Sequence, residues 1–169
     1  MTANEPARLH RLEALVRIVQ DELVAAGLRV IPDPAPTGVS GAIVAVRRPE
    51  LDDVLVSWQL GPQLVDAAHE AWGDDPHHER EECAAFAKLT SAIDESMANA
   101  MLAILAAGGL EAARIGSCDL LVTQRLAVSP WQARRNAEFE SRYEKMLAAW
   151  NARNDANCPK SDGETHQTP

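Results

Sequence analysis

The stretch Ala42–Gln59, AIVAVRRPELDDVLVSWQ, decides the fold. Two runs rich in β-branched residues, Ala42–Arg48 and Asp53–Gln59, flank the turn sequence PELD at residues 49–52. Such runs on either side of a short polar turn read as a β-hairpin. In the second run Val54, Val56 and Trp58 alternate with Leu55, Ser57 and Gln59, so one face is drier than the other.

Proline and glycine mark the elements on either side of this hairpin. Glu5-Pro6, Gly61-Pro62, Asp75-Pro76 and Ser129-Pro130 each precede a helical pattern. Proline suits the first helical position because its φ is already helical and no N–H partner is needed there. Gly27, Gly73 and Gly108-Gly109 follow three of those patterns, where a left-handed cap ends a helix. The first helix is expected over Pro6–Ala26, with a buried stripe of Leu9, Leu12, Val16, Val19 and Leu23. The second is short, Pro62–Trp72, with Val65, Ala68 and Trp72 on one face. The third is expected over Pro76–Ala107, with the stripe Phe86, Leu89, Ile93, Met97, Met101 and Ile104. A straight helix of that length reaches roughly 48 Å, more than the roughly 40 Å diameter of a compact domain of this size. It must therefore bend or project. The alanines on its flanks (Ala84, Ala92, Ala98, Ala103 and Ala106) permit close approach of another helix; core packing is the first reading of that small face, and a homodimer contact through this 76–107 helix is the alternative. The last helix, Ser129–Ala152, has Ser129 as N-cap and a stripe of Phe139, Tyr143, Met146 or Leu147, and Trp150.

Further strands are expected at Leu28–Ile31, Glu111–Ile115 and Leu120–Gln124. The order is then αβββα–αββα. LVAAGLRVI and ILAAGGLEAARI echo one another at two helix ends, an echo that shared cap chemistry explains. The expected architecture is one α+β domain over residues 1–150. It has a mainly antiparallel sheet of about five strands packed against about four helices. Residues 151–169 are polar and core-free, and are expected to form a disordered tail.

The bulk numbers narrow the function. The 169 residues fit one domain, and the 46% apolar fraction supplies a core that the 4% aromatic fraction makes mostly aliphatic. The abundance of alanine and of arginine over lysine points to a GC-rich, bacterial genome. A net charge of −9 makes this an acidic chain and disfavours nucleic acid as a partner. The three cysteines, Cys83, Cys118 and Cys158, form no CxxC pair and suit a reducing cytoplasm. No leader-like apolar run opens the chain, and no run is long enough to span a bilayer. A cytoplasmic protein without a membrane partner is expected.

The densest chemistry lies in DDPHHEREEC, Asp74–Cys83. As a helix start it explains itself, with Asp75 capping, Pro76 first, and Glu79, Glu81 and Glu82 favourable to the helix dipole. As a metal site it offers His78 and Glu82, four apart on one helix face, and His69 from the preceding helix. No recognised ligand spacing accompanies them, since neither HExxH nor CxxC is present. The helix start is the stronger reading, and His69, His78 and Glu82 are the only metal candidates. The same acidic segment, Glu70–Glu82, could meet a basic partner. GVSGA is one residue short of GxSxG, and there is no phosphate loop of either common type. Cys83, in a largely apolar register, reads as a buried structural thiol. Arg134, Arg135 and Arg142 are largely balanced by glutamates and read as a solvated helix face.

No family motif is present in these residues. The element order resembles that of secretion-chaperone-like and related small α+β binding modules, a resemblance of topology that implies protein binding rather than a particular process. The leading expectation is a non-enzymatic, chaperone-like or other protein-binding module, possible as a homodimer and with no cofactor. The alternatives are a divalent-metal-dependent enzyme centred on His69, His78 and Glu82, and an acidic inhibitor of a nucleic-acid-binding protein.

Overall fold

The hairpin pairing carries the architecture. The computed structural model describes residues 5–47, 53–73 and 80–157. The elements are α1 (Glu5–Ala25), β1 (Val30–Ile31), β2 (Gly41–Val46), β3 (Val54–Gln59), α2 (Pro62–Gly73), α3 (Glu81–Ala107), β4 (Leu110–Arg114), β5 (Leu120–Arg125) and α4 (Pro130–Asn157). β2 and β3 pair antiparallel from Gly41↔Gln59 to Val46↔Val54. The PELD turn itself lies outside the described residues. The five strands form one sheet in the order β1-β2-β3-β5-β4. Only β1 is parallel to its neighbour. The expected α+β class, element order and mainly antiparallel sheet are all present.

The dry face of the sheet is built from Ala42, Val44, Val54, Val56, Leu120 and Val122, all in one core cluster. Cross-strand partners Val44↔Val56 and Val54↔Val122 meet on it, and such pairs are the unit of sheet stabilisation. α1 covers this face with Leu12, Leu15, Val19 and Leu23, and α3 with Ala98, Met101 and Leu105. The α3 stripe is rotated from the expected one. Leu89 is exposed, while Ala98, expected on the flank, is fully buried. Alanine at that point lets α3 lie close to the sheet and α1. α3 also begins at Glu81 rather than Pro76, with Arg80 at the N-cap position and no side-chain cap bond. Its 27 residues span roughly 40 Å, so no bend or projection is required. Asp75 and Pro76, the expected cap and first residue, lie outside the described residues.

Two of the three expected left-handed glycine caps form, at Gly27 and Gly109, whereas Gly73 ends α2 without a positive φ. Gly27 has φ +86°. Its N–H donates to Val24 O and that of Leu28 to Leu23 O, the paired bonds of a Schellman cap. Gly109 has φ +75°, and its carbonyl accepts from the N–H groups of both Leu126 and Ala127. The loop after β5 is thereby pinned to the end of α3. At the other end of the sheet, Gln59 Nε2 donates to Val39 O at 2.7 Å and ties the proline-rich loop to β3.

Glu22 is buried in α1 and accepts a 2.6 Å hydrogen bond from the hydroxyl of buried Ser129. Ser129 was expected to cap the last helix, and this bond gives its side chain a tertiary role. Gly108 lies against the same carboxylate, where an added Cβ would come within 2.8 Å of Glu22 Cδ. No buried side-chain nitrogen or oxygen among the described residues lacks a hydrogen-bond partner.

The chain divides into two compact units, the second beginning at Pro130. α4 runs to Asn157, and residues 158–169, most of the expected tail, lie outside the described part.

Two substitutions test the packing. Gly109→Ala strains a left-handed backbone and drives a Cβ to within 2.6 Å of Ala127 O. It should cost about 1–3 kcal/mol in urea unfolding, whereas Gly73→Ala, which meets nothing within 4 Å, should stay within about 0.5 kcal/mol. Ser129→Ala removes a donor from a buried carboxylate and should cost about 1–3 kcal/mol by the same measurement.

Candidate functional site

Three places among the described residues bring together reactive side chains or a row of exposed apolar ones. The first is the junction of α2 and α3, where the metal reading was centred. His69 is exposed on α2, and its ring lies 6.0 Å from that of Trp72, tilted by 53°. Trp72, Cys83, Ala84 and Ala87 line an open apolar cleft of about 360 Å³. Cys83 is buried and its thiol donates to Ala71 O at 3.4 Å, which fastens the start of α3 to α2. This is the structural thiol expected from the sequence. Glu82 is exposed in the first turn of α3, and His78 lies outside the described residues. Among the described residues no group of three or more His, Cys, Asp or Glu side chains could hold a metal ion. The structure therefore shows His69 resting against an aromatic ring and Glu82 facing solvent.

The second place is the β4–β5 turn against α3, which the sequence did not single out as a cluster. Arg114 donates from Nε to Gly116 O at 2.9 Å and from a terminal nitrogen to Ser117 O at 2.6 Å, so the guanidinium folds the turn around itself. Its other terminal nitrogen points to Asn99 of α3 at 3.5 Å. Cys118 is half-buried beside Asp119. Burial raises its pKa, and the carboxylates of Asp119 and Asp94 raise it further, against the lowering effect of hydrogen bonds from the Trp58 backbone and Ser117. Asp94 is itself raised, first by burial and then by Asp119. These effects oppose nucleophilic chemistry, because the reactive form of a cysteine is the thiolate. Burial first, and then the two carboxylates, disfavour the thiolate.

The third place is α4. Its sequence stripe is real, but every member is exposed. Phe139 is 69% exposed and Trp150 62%, with Tyr143, Met146 and Leu147 also open. The rings of Phe139 and Tyr143, four residues apart, lie near-parallel with centroids 6.5 Å apart. Away from the stripe, Arg134 pairs with Glu138 at 3.2 Å, an i, i+4 ion pair. The guanidinium of Arg135 lies 4.7 Å over the ring of Trp131. The periodicity that marks this stripe was legible in the sequence. Its exposure was not, because an apolar stripe reads alike whether it faces a core or a partner.

No helix among the described residues is long and apolar enough to cross a membrane. Comparison with family models, curated proteins and solved structures finds no match.

The turn cluster makes a direct prediction. Cys118 should react with iodoacetamide at pH 8 several-fold more slowly than a free cysteine, whose pKa is about 8.5. Asp119→Asn removes one of the charges holding the thiol protonated and should speed alkylation, followed by mass spectrometry of the Cys118 peptide. An unchanged rate would show that Asp119 does not control the thiol.

Proposed function

We propose that this chain is a protein-interaction module with no catalytic activity of its own, and that α4 is the element its partner binds. The observation that carries the reading is the exposed stripe of Phe139, Tyr143, Met146, Leu147 and Trp150 on a 28-residue helix. Monomeric proteins scatter exposed apolar residues singly; a contiguous row of large ones marks a contact surface. Aromatic and methionine side chains are also the types enriched at protein interfaces. Burying each one against a partner stabilises a complex by roughly 1.5–3 kcal/mol before the cost of association. That neither Cys83 nor Cys118 is in a disulfide fits a reducing, cytoplasmic setting.

The test is quantitative capture on the immobilised full-length chain, from an extract of the cells that make it. One protein, a second copy of the chain included, should bind in near-stoichiometric amount. The double substitution Tyr143→Asp and Trp150→Asp should cut that binding by at least about tenfold, since two central apolar contacts are lost. Circular dichroism of the variant should match the parent. A partner retained equally by the variant would sink the role of α4, and an absence of any stoichiometric partner would sink the interaction reading itself.

A further inference from the structure

From the spacing and charge on α4, we infer that the occupant of its stripe is a second copy of the same helix, in a parallel, in-register coiled coil. The inference rests on the reading of α4 as a contact element and names the partner.

The stripe is a heptad seam. Phe139, Tyr143, Met146 and Trp150 are spaced by four, three and four residues, the alternation that keeps one seam facing a partner helix. With Phe139 and Met146 at d, Tyr143 and Trp150 fall at a. One heptad earlier the same register puts Asn136 at a, while Gln132, the d position before it, is buried and lies outside the exposed seam. An asparagine at an a position is the residue that fixes register and oligomer state in parallel pairs, where it meets its own copy. Leu147 at e widens the apolar strip on one side. The Arg134–Glu138 pair occupies f and c, on the outer face, where it leaves the seam free.

Charge sets the direction. The charged g positions are Arg135 and Arg142, and the charged e position is Glu140. In a parallel pair, g of one helix lies beside e five residues on in the other. Arg135 then meets Glu140 of the second copy, twice by symmetry, while the stem of Arg142 crosses the second copy's Leu147. In an antiparallel pair g faces g and e faces e. Arginine would then confront arginine and glutamate confront glutamate. Like charges at these positions disfavour a pairing mode, and opposite ones select it. The two copies are thus related by an isologous two-fold axis along α4.

Sedimentation equilibrium of the purified full-length chain, from about 1 to about 500 µM to bracket a roughly micromolar dimer, tests this. The parent should be a reversible dimer. Arg135→Glu and Glu140→Arg should each weaken it at least about tenfold, because two attractive pairs become repulsive. The two substitutions together should restore affinity to within about threefold of the parent. Arg135→Glu also removes the contact with Trp131, so Glu140→Arg, which leaves that contact intact, is the cleaner single variant. Circular dichroism checks that each remains folded. A chain that stays monomeric throughout overturns the second copy as occupant, and the capture experiment then decides separately whether α4 binds another protein. A dimer indifferent to both reversals, or one that the double exchange fails to restore, overturns the parallel pairing.

Discussion

The buried carboxylate of Glu22 is the constraint around which the first unit is arranged. A charged or polar group taken out of water is costly unless its hydrogen bonds are replaced. The replacement from Ser129 comes from 107 residues away along the chain. Ser129 can reach Glu22 only if the segment after β5 returns to the end of α3, and Gly109 secures that return through its carbonyl. The carboxylate fits only because Gly108 presents no side chain to it. One short hydrogen bond therefore depends on a glycine that makes room and on a second that turns the chain. It couples α1, the α3–β4 turn and the end of β5. The aliphatic core lies beside it, with Val19, Leu23 and Leu105 fully buried.

Most of the architecture was legible because it rests on local periodicity. The β2–β3 hairpin, the five strands and the stripe of α1 follow from alternation, spacing and caps, and all lie within a few residues of expectation. The errors have physical causes. Glu22 sits at a core position of α1, but a carboxylate at that spacing looks like a helix edge until its distant partner is known. Ala98 was set on a flank because small residues carry little hydrophobic signal, whereas a crowded core selects them. The parallel pairing of two-residue β1 rests on the closeness of Arg29 and Ala42, joined at 2.8 Å. At Gly41 a Cβ would come within 2.6 Å of Arg29 O, and a glycine before a strand does not announce that by itself. The start of α3 was misjudged because Asp-Pro is a strong helix opening, while the described helix opens at Glu81.

The candidate sites were less legible than the fold, for the same reason. A site is a set of distances between elements, and spacing within one element reports only part of it. His69, His78 and Glu82 flank one turn in the sequence, and His78 lies outside the described residues. In space His69 lies beside Trp72, and Cys83 is committed to holding α3 against α2. The Asp94, Cys118 and Asp119 cluster passed unnoticed because its members come from α3 and from the β4–β5 turn. The acids there act on the thiol in the direction opposite to activation. The cluster reads as a turn folded around Arg114, with a thiol whose ionisation burial and the nearby acids disfavour.

α4 differs from the other helices in the origin of its stability. α1 and α3 are helical in part because each buries a stripe in the core. From Ala133 to Arg153 every residue of α4 is exposed, so local forces must hold that length as a helix. They are adequate. Pro130 opens it, and alanine, arginine, glutamate and lysine dominate its exposed faces, all strong helix formers. Against that background the aromatic residues run the other way. Phenylalanine, tyrosine and tryptophan have lower helix propensity than the residues around them, and left in water they gain no burial. A sequence tuned only to make a soluble helix would place alanine or glutamate at these positions. Large apolar side chains at four of four consecutive seam positions are unfavourable to the isolated helix and favourable only when another surface covers them. The helix is formed in advance, so a partner does not bear the cost of ordering its backbone.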